Sequence, residues 1–182
     1  MSQFEVGDEF PNLKLDGVDG EVQLRERWQD GPLVVMFMRH FGCAFCREQL
    51  IRVGRATEEF DAAGAQIVAI FQYPAAASHD FCRGRQVPFE CLGDPERVAY
   101  AEVSLGRGGL RQLLGWRVAK RLPAAARMTG SLSGGAQGAD MAQLPGTFVI
   151  DTGGRVRLAH YNESSADNPE VGAILEAVRA AG

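Results

Sequence analysis

An apolar run that ends on two closely spaced cysteines constrains this chain more than any other feature. Leu33-Val34-Val35-Met36-Phe37-Met38 carries no charge and leads into Arg39-His40-Phe41-Gly42-Cys43-Ala44-Phe45-Cys46. A charge-free run of this length, closed by turn-forming residues, predicts a strand buried on both faces. Beyond Cys43 the apolar residues Phe45, Leu50, Val53, Ala56 and Phe60 recur at roughly helical spacing until Gly64 provides a stop. That pattern predicts one amphipathic helix of about five turns. A strand therefore delivers two thiols to a helix N-terminus. There the free N–H groups and the positive end of the helix dipole favour the thiolate, which is the reactive form of cysteine.

The rest of the chain reads as alternating strands and helices. Residues 66–71 form a second apolar run rich in β-branched side chains, so strand, helix and strand predict a right-handed parallel crossover. Ahead of it, residues 13–17 and 20–24 read as a short hairpin on a sheet edge, with Asp16-Gly17 as its turn signal. After it come a helix over 78–86 with Ser78 near its N-cap, a strand over 87–92 and a helix over 96–103. Residues 104–143 hold no convincing strand and read as a helical insert, helical over roughly 110–128 and broken at Pro123. Residues 146–151, Thr152-Gly153-Gly154 and residues 155–161 predict an antiparallel hairpin. A last helix places Pro169 in its first turn and carries Val171, Ile174, Leu175 and Val178 on one face. The expectation is an α/β chain with a mixed central sheet flanked by helices, an N-terminal hairpin extension and a helical insert, in a single domain over 1–182.

Charge and hydropathy exclude several classes of partner. A net charge of −4 over 182 residues gives no reason to expect nucleic acid or an anionic membrane. No run approaches the roughly 18 apolar residues of a spanning helix. Residues 1–24 contain Glu5, Asp8, Glu9, Asp16, Asp19 and Glu21 without a long apolar core, so they do not read as a secretory signal. The expected location is cytoplasmic. Four cysteines are too sparse for a disulfide-stapled scaffold, so the close pair reads as redox or metal chemistry in a reducing compartment.

Two chemical readings compete for Cys43 and Cys46. As half of a zinc site they need more ligands, and His79-Asp80-Phe81-Cys82 offers His79 and Cys82; that reading makes the chain a zinc-stabilised binding module. As a redox dithiol they sit where an α/β chain places one, at a strand-to-helix junction, and this is the favoured reading. Cys82 on a short helix and Cys91 in a strand read as separate half-buried and core residues, or as a second resolving thiol. Arg39 and Arg47 flank the pair and are placed to lower a thiol pKa, and His40 is a candidate proton donor to a leaving group. In the insert, Arg107, Arg111, Arg117, Lys120, Arg121 and Arg127 are accompanied by no acidic residue between Val103 and Ala139, which suits a docking surface or simply solvated helices. Leu110, Leu113, Leu114 and Trp116 suit a face that packs the insert on the sheet, or a contact between copies in a homo-oligomer.

Several of these segments together carry a resemblance. Gly7-Asp8, the strand ending in Arg39-His40-Phe41-Gly42-Cys43-Ala44-Phe45-Cys46-Arg47-Glu48, Asp94-Pro95-Glu96 and Leu144-Pro145-Gly146-Thr147-Phe148-Val149-Ile150-Asp151 look like the AhpC/TSA peroxiredoxin-like family. Within it they resemble the Cys-x-x-Cys branch that includes the prostamide/prostaglandin F synthases. The resemblance implies a thioredoxin-like fold and an enzyme that reduces hydroperoxides or related bonds with thiols, without a cofactor. One cysteine would attack an O–O or S–S bond, the other would close the Cys43–Cys46 disulfide, and a thioredoxin- or glutathione-type reductant would restore both. The runner-up within the same class is a thiol-disulfide oxidoreductase without peroxidase activity. The thioredoxin pattern makes Cys43 the nucleophile, nearer the exposed mouth, whereas the peroxiredoxin pattern favours Cys46. In that second register Cys43 and Arg39 stand where peroxiredoxins carry Thr or Ser and Pro. Pro145 resembles the cis-proline that faces the dithiol in thioredoxins.

Overall fold

The computed structural model describes residues 2–130 and 138–182. A hairpin of β1 (Lys14–Gly17) and β2 (Gly20–Gln23) leads through a short 3-10 turn (Leu24–Trp28) to β3 (Leu33–Phe37). Helices α1 (Ala44–Arg55) and α2 (Thr57–Ala62), strand β4 (Gln66–Phe71), helix α3 (Ala75–Arg83) and strand β5 (Glu90–Gly93) follow. Next are α4 (Val98–Glu102), α5 (Leu110–Leu114), α6 (Trp116–Thr129), β6 (Gly146–Ile150), β7 (Val156–Tyr161) and α7 (Val171–Arg179). The strands form one seven-stranded sheet in the order β2, β1, β5, β4, β3, β6, β7. β3 and β4 pair in parallel, as do β4 and β5, while β6 runs antiparallel to both β3 and β7. The expected mixed sheet with an edge hairpin is what forms.

Strand β3 is buried at every position because the sheet is covered on both sides. Alternate residues point to opposite faces: Val34 and Met36 join the cluster beneath α1 and α7, whereas Leu33, Val35 and Phe37 join Phe10, Tyr100 and Phe148 on the other face. Deep in that second cluster, the Tyr100 hydroxyl lies 2.6 Å from the Met38 carbonyl oxygen and 2.9 Å from that of Ile70. It ties the ends of β3 and β4 together just before the cysteine loop. The β6–β7 turn closes on the Asp151 carboxylate, which accepts from the Gly153 and Arg155 amides and from Arg157.

Several boundaries depart from the sequence expectation. The first helix is interrupted at Ala56, with φ −98° and ψ 9°. Thr57 turns its hydroxyl back onto the Gly54 carbonyl at 2.9 Å, a side-chain bond that competes with helix continuation. α3 starts three residues before Ser78 because Pro74 precedes its first turn; Ser78 lies inside, its hydroxyl donating to the Pro74 carbonyl at 3.2 Å. Pro169 lies just ahead of the Glu170 cap of α7 rather than in its first turn.

The insert breaks at Gly115, not at Pro123. A Cβ at Gly115 would stand 2.1 Å from the Arg111 carbonyl oxygen, so only glycine closes α5 this tightly. Pro123 sits within α6 on an exposed face, where the Ala119 carbonyl that loses its amide partner is open to water. The break also resets the helix phase, so Val118 and Ala125 are the buried residues of α6, while Trp116 is 80% exposed. Trp116 therefore does not pack the insert on the sheet. The side chains of Leu110 and Leu114 lie outside the described residues, and Leu113 is half-buried.

Replacing Tyr100 by Phe removes the hydroxyl from the buried Met38 carbonyl, while the Ile70 carbonyl keeps the Met38 amide at 2.8 Å, and costs about 1–3 kcal/mol. Urea denaturation of Tyr100→Phe is expected to show a lower midpoint at unchanged slope, and an unchanged midpoint contradicts this role.

Candidate active site

The two thiols stand at the N-terminus of α1. Cys43 is its N-cap residue, with extended φ −71° and ψ 109°, and Cys46 lies in its first turn. The loop turns on the Cys43 amide, which donates to the His40 carbonyl at 2.9 Å. Cys43 and Cys46 are free thiols, 4% and 3% exposed. Cys43 thus has no exposed mouth, contrary to the sequence expectation. The reason is visible along α1: its whole first half is buried, including Arg47, Glu48 and Gln49, because α6 packs across it and residues 141–145 close the loop side.

Arg39 addresses both sulfurs. Its backbone amide donates to the Cys46 sulfur at 3.4 Å and its guanidinium to the Cys43 sulfur at 3.6 Å. The guanidinium is held in turn by the carbonyls of Gln143 at 2.9 Å and Met141 at 2.6 Å. Gln143, itself buried, donates its side-chain amide to the Gly106 and Leu144 carbonyls. Neither Met141 nor Gln143 was legible as a site residue, since both act through the position of their backbone.

The two thiols are tuned in opposite directions. A hydrogen bond from the Cys46 thiol, with help from the Arg39 charge, outweighs burial and lowers the Cys43 pKa to about 6. Burial, and then the neighbouring Cys43, push the Cys46 thiol well above its ordinary value. Cys43 is therefore the thiolate at neutral pH and Cys46 the proton-bearing partner. His40 is lowered to about 4 by burial and by the charges of Arg39 and Arg47. At neutral pH it is an uncharged imidazole, so any donation from it is a hydrogen bond from its N–H rather than loss of an imidazolium proton.

Phe41 fastens the rim of the loop. Its ring stacks on Tyr73 at 3.8 Å and on Phe81 of α3 at 4.2 Å, and its amide donates to the Tyr73 hydroxyl at 3.4 Å. Behind α1, the Asn168 side chain donates to the Phe45 carbonyl at 2.9 Å.

Pro145 is buried beside Gln143 at the start of β6, but its peptide bond is trans: the described residues contain no cis peptide. The cis expectation is corrected because an antiparallel bridge between Arg107 and Gln143 holds the segment ahead of Pro145, with Gly108 donating to the Ala142 carbonyl and Leu144 to that of Gly106. The chain then continues straight into β6. The zinc set also fails to assemble. Cys82 is joined to Cys91 by a disulfide, His79 is half exposed beside Asp80, and no group of three or more potential ligands converges among the described residues. That disulfide replaces the reading of Cys82 and Cys91 as separate residues or a resolving thiol. Its signal was the short connection between a helix end and the next strand, which brings positions nine apart together. In the basic insert, Arg107 pairs with Asp140 at 2.8 Å and Arg121 donates to the Ala166 carbonyl.

A central sheet, a strand-to-helix dithiol and one lowered thiol pKa define a thioredoxin-fold thiol oxidoreductase. Residues 53–164 match the family model described as AhpC/TSA antioxidant enzyme, over more than half of the chain and starting just after the dithiol. The prostamide/prostaglandin F synthase of Salmo salar is 25% identical over 169 residues, covering 91% of this chain and 82% of that protein. The chloroplastic thioredoxin-like protein AAED1 of Arabidopsis thaliana is 28% identical over 104 residues, 57% of this chain; the chain spans 42% of that relative. The crystal structure of peroxidoxin BcpB from Mycobacterium tuberculosis shares the fold, with a TM-score of 0.68, 22% identity and 98% of each chain covered. The chain belongs to the AhpC/TSA family and is a peroxiredoxin-like thiol oxidoreductase.

Iodoacetamide reacts with thiolate, so its capture of Cys43 is expected to rise with pH through a midpoint near 6 and then level off. Cys46→Ala and Arg39→Met each remove a group that stabilises the charged form, so each moves that midpoint upward. A midpoint unmoved in both variants contradicts the assignment.

Proposed function

We propose that the protein reduces hydroperoxides through Cys43, with Cys46 as resolving thiol and an external dithiol as electron donor. The observation that carries this reading is the opposite tuning of two adjacent buried thiols, one lowered to about 6 and the other raised. The Cys43 thiolate takes the terminal oxygen of the hydroperoxide, the O–O bond breaks, and the alkoxide leaves and is protonated from water. Cys43 is then a sulfenic acid. The Cys46 thiol attacks that sulfur, forming the Cys43–Cys46 disulfide and releasing water. A thioredoxin- or glutathione-type thiol reductant returns both cysteines to thiols.

Burial of both sulfurs favours hydrogen peroxide or a small alkyl hydroperoxide, because a bulkier molecule reaches Cys43 only when the cover over it moves. The reading places the protein in the cytoplasm, where dithiol reductants are maintained. Disulfide reduction is the second reading. It is favoured by Cys43 and Arg39 standing where peroxiredoxins carry Thr or Ser and Pro.

With dithiothreitol as reductant, peroxide consumption is expected to fall by about a thousandfold or more in Cys43→Ser. Given one equivalent of peroxide in the absence of dithiothreitol, which would itself reduce a sulfenic acid, Cys46→Ser is expected to stop at a sulfenic acid on Cys43 that dimedone captures. Sustained turnover in Cys43→Ser, with capture at Cys46 instead, would reverse the roles. Reduction of insulin disulfides without peroxide consumption by the wild type moves the assignment to the second reading.

A further inference from the structure

We infer that the Cys82–Cys91 disulfide is a second thiol-exchange site, entered by a protein dithiol through the cavity between α3, β5 and the β1–β2 hairpin. The disulfide joins the last turn of α3 to the middle of β5. As a staple it contributes less than a disulfide that closes a long loop. It closes a loop of nine residues, and chain-entropy stabilisation is smallest for short loops. The connection is already held by Arg85 and Val87, whose amides both donate to the Cys82 carbonyl at 3.0 Å.

Cys82 and Cys91 are themselves buried, 3% and 6% exposed, but they line an open gap, so exchange needs only a local opening of its wall. β1 meets β5 at one pair, Asp16 opposite Gly93, and the hairpin then diverges. The gap is a cavity of about 610 Å³ with both cysteines on its wall. Along it, Glu90 and Cys91 pair with β4 on one side only, which leaves a strand edge to which an extended thiol-bearing segment can add. The rim carries both signs of charge: Arg27 and Arg83 stand with Glu21 and Glu26, the last three well exposed. A mixed rim suits a protein surface better than a small anion. The cytoplasmic placement proposed above adds a clause that rests on that reading: a disulfide in a reducing compartment is ordinarily one that turns over.

The exchange balances in two steps. A thiolate of the partner bonds to the Cys82 sulfur, the Cys82–Cys91 bond breaks, and Cys91 leaves as thiolate and takes a proton. Attack falls on Cys82 because a thiolate in the last turn of α3 faces the negative end of the helix dipole, which makes Cys91 the better leaving group. The partner's second thiol then displaces Cys82, which is protonated in turn. Two electrons and two protons have passed from the partner dithiol to the cysteine pair, and the partner leaves as a disulfide.

The test uses the wild-type protein without denaturant. It is incubated with a reduced thioredoxin kept reduced by its reductase and NADPH, alkylated and digested with trypsin, which cuts after Arg83 and Arg85 and so parts Cys82 from Cys91. The expected result is a linked Cys82/Cys91 peptide pair before treatment and complete alkylation of both within minutes after it. Oxidised glutathione, added once the NADPH is exhausted, then restores the link. Peptides that stay linked until guanidinium unfolds the protein would make the disulfide a structural staple and overturn the inference. So would two free thiols in the purified protein that oxidised glutathione fails to join. Both readouts concern Cys82 and Cys91 alone, so they stand or fall apart from the chemistry at Cys43.

Discussion

The dithiol loop depends on where one guanidinium is held. Arg39 follows the central strand directly, and its side chain spans the gap between the Cys43 sulfur and the carbonyls of Met141 and Gln143. Its planar donors suit that task, whereas a lysine ammonium would bring a point charge without the fork. Through this contact the segment that enters β6 is tied to the loop that carries the thiols. The positive charge beside Cys43 is therefore fixed by the architecture of the sheet rather than by a mobile side chain.

The same arrangement explains why two chemically identical thiols differ. Both are equally buried, so desolvation opposes both thiolates. What separates them is who donates: Cys46 gives its proton to a hydrogen bond with Cys43 and is thereby held as thiol, while Cys43 gathers that bond and the Arg39 charge. In a buried pair only one negative charge is sustained, and the geometry assigns it to the residue at the helix cap. The insert contributes by exclusion. By packing across α1 it keeps water from the pair, which strengthens each of these interactions.

Much of the fold was legible because it rests on local patterns. The charge-free run 33–38, the second run 66–71 and the Thr152-Gly153-Gly154 turn each specify an element on their own, and the strand-to-helix junction located the dithiol. What was not legible depends on long-range closure. The trans Pro145 follows from pairing between 106–108 and 142–144, and the burial of Cys43 follows from α6 lying on α1. Neither leaves a periodic trace in sequence. The break at Gly115 instead of Pro123 shows a related limit, since an exposed proline is tolerated where a close backbone approach is not. The Cys82–Cys91 disulfide was hidden because each cysteine was read within its own element, although the short loop between those elements brings them together.

The most direct test of the account is peptide-mapped alkylation of the reduced protein before and after one equivalent of hydrogen peroxide. The account predicts that Cys43 and Cys46 lose reactivity together, as one intramolecular disulfide that a dithiol reverses. Two thiols that remain alkylatable after peroxide, or oxidation that passes Cys43 by, would contradict it.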